Sequence, residues 1–164
     1  MTIKVGDKVP SGALAHMTAD GPAKITTDEL FSGKKVALFA LPGAFTPTCS
    51  AKHVPGFLAH HDALIAKGVD TVACLSVNDA FVMGAWGKDQ GVGDKILMLA
   101  DGNADYADAL GLSFDASGFG MGKRAARFAI NRQEFRQQHA FPLLNVEEPG
   151  AFEVSSAEAV LAAL

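Results

Sequence analysis

Short, continuous apolar runs separated by amphipathic segments are the feature of this sequence that most constrains its fold. Three of these runs have the length of buried strands: 35–41 (KVALFAL), 71–77 (TVACLSV) and 96–100 (ILMLA). Apolar residues recur at helical spacing in 49–67, a capping signal precedes 80–88, and a short helix is predicted over 105–110, ending at Gly111. Strands that are apolar on both faces need helices against both faces. The alternation therefore predicts an α/β fold, with a central β-sheet flanked by helices.

The C-terminal part of the chain predicts two more elements. Residues 123–130 are interpreted as a further strand. Ser155 and Glu158 have the spacing of a capping box, which predicts a final helix that ends at Leu164. Pro55 lies inside the segment 49–67, where the missing N–H group predicts a kink or a broken first turn.

Length, charge and hydropathy exclude several classes of protein. The 164 residues are an ordinary size for one domain, so we predict a single domain over residues 1–164. The net charge is −4 with no basic block, which argues against nucleic acid as a partner. No stretch approaches the ~18 continuous apolar residues of a membrane span. The N-terminus (MTIKVGDKVP) lacks an apolar signal core, and we therefore expect a cytoplasmic protein.

The chain has two cysteines, Cys49 and Cys74, and no CxxC pair. Two sulfurs are too few for a zinc or iron–sulfur site, and we expect neither a metal nor a cofactor. Thiols stay reduced in the cytoplasm, so catalysis, redox sensing and core packing are all open interpretations of these cysteines.

Cys49 lies after a predicted strand and a loop, at the predicted start of a helix. Unpaired backbone N–H groups and the positive end of the helix dipole favour thiolate over thiol at such a position. Pro42 and Pro47 stiffen the loop, which would hold the Thr46 hydroxyl where it can bond the sulfur or a bound oxygen. The alternative is that Cys49 is a small, inert residue of the core.

The sequence around Cys49, PGAFTPTCS followed by AKHVPGF, resembles the active-site loop and helix of the peroxiredoxins. The family pattern Pro-x-x-x-Thr-x-x-Cys is met by Pro42, Thr46 and Cys49. The resemblance is strongest to the peroxiredoxin 5, or type II, subfamily. It extends through four further segments: 74–88, 99–112, 117–129 and 144–158.

The resemblance implies a thioredoxin-like fold with a central mixed β-sheet. It implies a peroxidase in which Cys49 attacks hydrogen peroxide or an alkyl hydroperoxide and becomes a sulfenic acid. Thr46 would bond the sulfur and the incoming oxygen, and Pro42 would shield them from water. By its match to RAARFA, Arg127 would stabilise the thiolate and orient the peroxide, with Arg124 as the less favoured alternative.

The resemblance also implies partners. A thiol reductant, either glutathione with glutaredoxin or thioredoxin, would recycle the enzyme in antioxidant defence. Phe45, in the loop before Cys49, is interpreted as core or as part of an apolar surface through which two copies form a homodimer. Cys74 is interpreted as a core residue or as a resolving cysteine that forms a disulfide with Cys49.

Two other functions are weighed against the peroxidase. A non-enzymatic redox sensor would use oxidation of Cys49 as a switch, and a cysteine hydrolase would need His53 as its base. His53, His60 and His61 are predicted to lie on one solvated helix face rather than to bind a metal.

One segment departs from the family. Relatives have a short hairpin where this chain has the longer and more polar residues 131–142 (NRQEFRQQHAFP). We interpret 131–138 as a loop or a helical turn.

Overall fold

The computed structural model describes residues 1–132, 143–148 and 150–164. Within these residues the strands are β1 (Ala13–Thr18), β2 (Gly21–Thr26), β3 (Val36–Ala40), β4 (Thr71–Ser76), β5 (Leu97–Ala100), β6 (Ser113–Asp115), β7 (Lys123–Ala125), β8 (Phe128–Arg132) and β9 (Leu143–Val146). The helices are α1 (Thr27–Phe31), α2 (Val54–Ala59), α3 (His61–Ala66), α4 (Ala80–Asp89), α5 (Asp105–Leu110) and α6 (Ala157–Ala163). A π-helical turn covers Cys49–His53, and a 3₁₀ turn covers Ser117–Phe119.

The main sheet has the order β2-β1-β5-β4-β3-β8-β9 across the described residues. Its central strands β3, β4 and β5 are parallel, whereas β1–β2, β1–β5, β3–β8 and β8–β9 are antiparallel. The predicted mixed sheet flanked by helices is confirmed, and the three apolar runs are its three central strands.

Alternation along β3 shows why this strand is apolar throughout. Phe39 faces a core layer that contains Phe57 and Trp86, while Leu38 faces the opposite layer, which contains Phe31. All five residues of β3 are buried, as expected for a strand covered on both faces. The carboxyl ends of β3 and β4 lie side by side, so the loops that follow them meet at one edge of the sheet.

The predicted helix over 49–67 is wrong as a single element. The chain forms the π-helical turn, then α2, then α3 after a break at His60. Pro55 has no N–H to donate, and the Val54 N–H bonds the Cys49 carbonyl five residues back. The expected irregularity at Pro55 is therefore present, in the turn directly before it.

The predicted strand over 123–130 is two strands in two different sheets. Ala125 pairs with Ser113 in the small β6–β7 sheet, and Phe128 pairs with Ala40 in the main sheet. The Ala126 N–H bonds the Leu112 carbonyl at 2.7 Å, where the chain passes from one sheet to the other. Arg127 therefore lies in the connection and belongs to neither strand.

The last helix is capped by Ser156, one residue after the predicted Ser155. Ser156 has the extended backbone of an N-cap residue, and its Oγ accepts the Ala159 N–H at 3.2 Å. Ser155 is buried and bonds Glu147.

The prediction of a loop or helical turn over 131–138 is wrong at Asn131 and Arg132, which end strand β8. The rest of the atypical segment to Pro142 lies outside the described residues.

Among the helices of the described residues, none combines the length and the apolar content that crossing a bilayer requires.

The Ser156 cap gives a stability prediction. Ser156→Ala removes the acceptor for the Ala159 N–H and should lower the free energy of unfolding by about 1 kcal/mol. Urea unfolding measures the change. The matched control is Ser32→Ala, because Ser32 is exposed and caps the end of α1 through its backbone only. Equal stabilities of the two variants would contradict the assignment of the cap.

Candidate active site

The loop between β3 and the π-helical turn is fixed by the end of β4. The Ala44 N–H donates to Asn78 Oδ1 at 3.0 Å, and the same oxygen accepts the Ser76 hydroxyl at 2.7 Å. Pro47, with its preset φ, then starts a helical turn. These contacts bring the Pro-x-x-x-Thr-x-x-Cys pattern over the carboxyl edge of the sheet.

Cys49 lies beneath this loop with only 1% of its surface exposed. Its sulfur is not isolated in an apolar interior, because Arg127 Nη2 lies 3.3 Å from Sγ. A guanidinium at that distance favours the charged form of a thiol over the neutral one. The structure therefore brings together two predicted site residues that are 78 positions apart in the sequence.

The other arm of the Arg127 guanidinium contacts His53. Nη1 lies 2.7 Å from His53 Nδ1, and His53 Nε2 lies 3.0 Å from the Ser155 carbonyl oxygen. A carbonyl only accepts, so Nε2 carries the proton and Nδ1 accepts from Arg127. Burial, and next the charge of Arg127, lower the pKa of His53 to about 3, which keeps the ring neutral.

Aromatic rings enclose this pair. The Arg127 guanidinium carbon lies 5.6 Å from the centroid of the Phe152 ring, and Phe152 meets the His53 ring edge-on at 4.8 Å. Phe39 contacts His53 from the sheet side at 4.8 Å. The rings cover part of the guanidinium, and the sulfur and the neutral imidazole accept its N–H groups.

Arg124 occupies a different position. Its Nε donates to the Met121 carbonyl at 2.9 Å, and Nη1 donates to the Pro42 carbonyl at 3.3 Å. A Cβ at Gly43 would approach Arg124 Nη1 to 2.9 Å, so glycine leaves the space that this contact needs. Arg124 thus braces the loop, whereas Arg127 contacts the sulfur.

The Thr46 hydroxyl bonds a main-chain carbonyl of its own loop. Its hydroxyl donates to the Gly43 carbonyl at 2.7 Å. A hydroxyl has one proton, so in this arrangement Thr46 presents only oxygen lone pairs to an incoming molecule. A bond from Thr46 to the sulfur requires rotation of the hydroxyl away from Gly43.

A cavity of about 270 Å³ opens beside these residues. Pro42 and Arg127 line it, together with the apolar residues Phe114, Ala126 and Ala151. The cavity therefore offers a largely apolar space with Arg127, the residue that contacts the sulfur, in its wall.

Cys74 lies in β4, fully buried in the same core cluster as Cys49. Burial raises the pKa of the Cys74 thiol well above its usual range. Both cysteines are free thiols.

The predicted solvated face of three histidines is wrong. His53 is completely buried, so the three histidines do not share a solvated face. His53 is also unsuited to be a hydrolase base, because one ring nitrogen is protonated and the other accepts from Arg127. Within the described ranges, no group of three or more potential ligands is arranged to hold a metal ion.

Glu147 and Ser155 are also linked to this site, because the Glu147 N–H bonds the Arg127 carbonyl and the Ser155 carbonyl bonds His53. They reach Arg127 only through the fold, about 100 positions from Cys49, and no spacing rule connects them. His53 had a usable signal, since a residue four positions after a helical cysteine lies one turn away from it.

The chain matches known proteins along its whole length. The Redoxin family covers residues 4–161. The chain is 47% identical over 167 residues to Peroxiredoxin-2E, chloroplastic, of Arabidopsis thaliana, with 99% of this chain and 70% of that protein covered. It superposes on reduced Prx3 of Vibrio vulnificus in complex with H2O2 with a TM-score of 0.90, at 50% identity over 99% of each chain. Peroxiredoxin 5 of Alvinella pompejana matches with a TM-score of 0.82 and 31% identity, over 98% and 96% of the two chains.

The buried, neutral His53 gives a pH prediction. In the unfolded chain a histidine takes up a proton near pH 6.5, whereas in the folded protein the pKa of His53 is about 3. The unfolded state therefore binds more protons between these values, and stability present above about pH 6.5 is lost as the pH falls toward about 3.

The comparison is between the wild type and His53→Gln, which does not titrate. Between pH 7 and pH 4 the wild type should lose about 3 kcal/mol more of its free energy of unfolding than the variant. Chemical unfolding at each pH measures this difference. Parallel pH profiles would contradict a neutral His53.

Proposed function

The chain belongs to the Redoxin family and, within it, to the peroxiredoxins, which are thiol peroxidases, and on that basis we propose that Cys49 is the sulfur that reduces the hydroperoxide. The observation that carries the proposal is the 3.3 Å contact between Arg127 Nη2 and Cys49 Sγ. A cation held by His53 against a buried sulfur favours a thiolate, and the thiolate is the nucleophile.

The reaction follows from this arrangement. The Cys49 thiolate attacks the terminal oxygen of the hydroperoxide, so that an S–O bond forms and the O–O bond breaks. The electron pair of the O–O bond leaves on the second oxygen, which takes a proton from water and departs as water or an alcohol. Cys49 is oxidised to a sulfenic acid.

Arg127, Thr46 and Pro42 each support this step. The Arg127 guanidinium offers fixed N–H donors to the oxygen on which negative charge develops. A donor of this kind lowers the activation barrier by roughly 3–4 kcal/mol. The Thr46 oxygen, with its proton held by Gly43, accepts the O–H of an incoming peroxide. Pro42 lines the cavity, and its proposed role is to limit the access of water to the sulfur.

The substrate class includes both hydrogen peroxide and alkyl hydroperoxides. Hydrogen peroxide is small and needs only the part of the site at Arg127, and the related reduced Prx3 of Vibrio vulnificus forms a complex with H2O2. The cavity of about 270 Å³ supports the larger substrates, because its apolar wall around Phe114 and Ala151 suits a carbon tail.

An external thiol completes the cycle. The sulfenic acid reacts with a first thiol to give a mixed disulfide and water, and a second thiol then releases the Cys49 thiol and a disulfide. Cys74 is poorly suited to the first role, because it is buried within a β-strand and its pKa is raised. Glutathione with glutaredoxin, or thioredoxin, is the proposed reductant, in a cytoplasmic enzyme of antioxidant defence.

The enzyme is proposed to act as a homodimer. Phe45 is 55% exposed on the loop before Cys49, and its ring centroid lies 6.4 Å from that of Trp86. An exposed aromatic side chain next to the proposed active site is the kind of surface that a second copy covers.

The cysteine assignment is tested with Cys49→Ser and Cys74→Ser. Reduced wild type and Cys74→Ser should consume hydrogen peroxide far faster than free cysteine, and a thiol reductant should sustain many turnovers. Cys49→Ser should be inactive. Mass spectrometry of the oxidised Cys74→Ser protein should show one added oxygen on Cys49.

Three results would contradict the proposal in different ways. Equal, slow oxidation of both thiols would contradict the role of Cys49. A single fast oxidation without turnover under any of the named thiols would favour the redox sensor. A Cys49–Cys74 disulfide in the oxidised wild type would make Cys74 the resolving cysteine.

The substrate cavity is tested by filling it. Ala151→Phe should slow the reaction with cumene hydroperoxide roughly tenfold more than the reaction with hydrogen peroxide, as expected when an apolar contact site is lost. Ala66→Phe, at an exposed position of α3, is the matched control and should leave the ratio of the two rates unchanged. An unchanged ratio in Ala151→Phe would contradict the cavity as the site of the carbon tail.

A further inference from the structure

Glu147 is a buried carboxylate with an unusual set of partners. It is 8% exposed, and its Oε1 accepts three hydrogen bonds, from Glu153 N at 2.6 Å, Ser155 N at 2.7 Å and Ser155 Oγ at 2.8 Å. Bonds to an ionised carboxylate are stronger than those between neutral groups. The chain at 153–155 is therefore held to one oxygen atom of Glu147.

The segment held in this way supplies the acceptor for His53. The Ser155 carbonyl accepts the His53 Nε2–H at 3.0 Å from a position 102 residues further along the chain. This bond decides which ring nitrogen carries the proton, and it therefore leaves Nδ1 as the acceptor for Arg127 Nη1. If the carbonyl moved away, the ring could turn or change tautomer, and an Nδ1–H would repel the guanidinium.

Glu147 also holds the main chain of Arg127. The Glu147 N–H donates to the Arg127 carbonyl at 2.9 Å. One residue thus fixes the arginine at both ends: at its backbone directly, and at its guanidinium through Ser155 and His53. This matters because Arg127 lies in a connection between two sheets, where strand pairing does not fix its orientation.

We propose that Glu147 and Ser155 are positioning residues that aim the Arg127 guanidinium at the Cys49 sulfur. The proposal rests on the peroxidase function proposed above, because the aim of Arg127 is measured by the reaction of Cys49. Neither residue touches the reacting atoms, and each acts through His53 and Arg127.

The test compares Glu147→Gln, Ser155→Ala and the control Glu153→Gln, each in the wild type and in an Arg127→Gln background. Glu147→Gln keeps the shape and one oxygen but removes the charge. Ser155→Ala removes only the Oγ bond and keeps the carbonyl. Glu153→Gln makes the same charge change on an exposed side chain of the same segment and keeps the backbone donor.

The readout is the second-order rate of Cys49 oxidation by hydrogen peroxide, followed by fluorescence of the single tryptophan. Trp86 Nε1 bonds Ser50 Oγ at 3.1 Å, directly beside Cys49, so its emission should report the oxidation. Glu147→Gln should slow the reaction about tenfold, at the lower end of the effect of outer-shell partners in metal sites. Ser155→Ala should slow it less, and Glu153→Gln should match the wild type.

The Arg127→Gln background separates positioning from general destabilisation. If Glu147 acts through Arg127, its substitution should have little further effect once the guanidinium is gone. An equal loss in both backgrounds, or a wild-type rate in Glu147→Gln, would overturn the proposal. If Glu147→Gln does not fold, Ser155→Ala provides the same comparison with a smaller change.

A nitrogen NMR measurement of the His53 ring keeps this proposal distinct from the peroxidase function. The wild type should show the Nε2–H tautomer, and Glu147→Gln should populate Nδ1–H or exchange between the two. A single Nε2–H tautomer in both proteins would overturn the positioning role. A slow wild-type reaction with peroxide would contradict the peroxidase proposal, and the tautomer result would still decide the role of Glu147.

Discussion

The contact on which the rest of the site depends is the fork of the Arg127 guanidinium, with one nitrogen on the Cys49 sulfur and the other on the His53 ring. A thiol that is 1% exposed would be inert without a charge beside it. A guanidinium among aromatic rings would be costly to bury without acceptors. The guanidinium supplies the charge beside the sulfur, and the sulfur supplies an acceptor for the guanidinium. The neutral His53 ring fixes the geometry of their contact.

The fold supplies this contact from distant parts of the chain. The loop after β3 carries Cys49 to the carboxyl edge of the parallel strands, and the passage between the two sheets leaves Arg127 free of strand pairing. Because no strand pairing constrains Arg127, its side chain can reach the sulfur. For the same reason, other contacts must fix its orientation. The segment after β9, tied to Glu147, provides the hold.

Features of the fold and the site that depend on neighbouring residues were predictable from the sequence, whereas those that depend on contacts between distant residues were not. The central strands and the Cys49 loop were predictable, because continuous apolar runs and a Pro-Thr-Cys spacing are local signals. The split of 123–130 into two strands was not, because β-branched or apolar content does not say which sheet a strand joins. The spacing of Ser155 to Glu158 predicts a helix cap, but the Ser155 hydroxyl bonds Glu147 instead. The burial of His53 was not predictable, because it depends on Arg127 and Ser155, which lie far along the chain.

The rate of Cys49 oxidation in Arg127→Gln, compared with Arg124→Gln, tests the central claim most directly. Loss of the Arg127 guanidinium should slow the reaction with hydrogen peroxide roughly 100-fold or more, the usual effect of removing one donor from a site of developing charge. Arg124→Gln, which loses a brace of the Pro42 loop rather than a contact with the sulfur, should slow it much less. An Arg127→Gln protein that folds and reacts at the wild-type rate, or that loses no more than Arg124→Gln, would contradict the account.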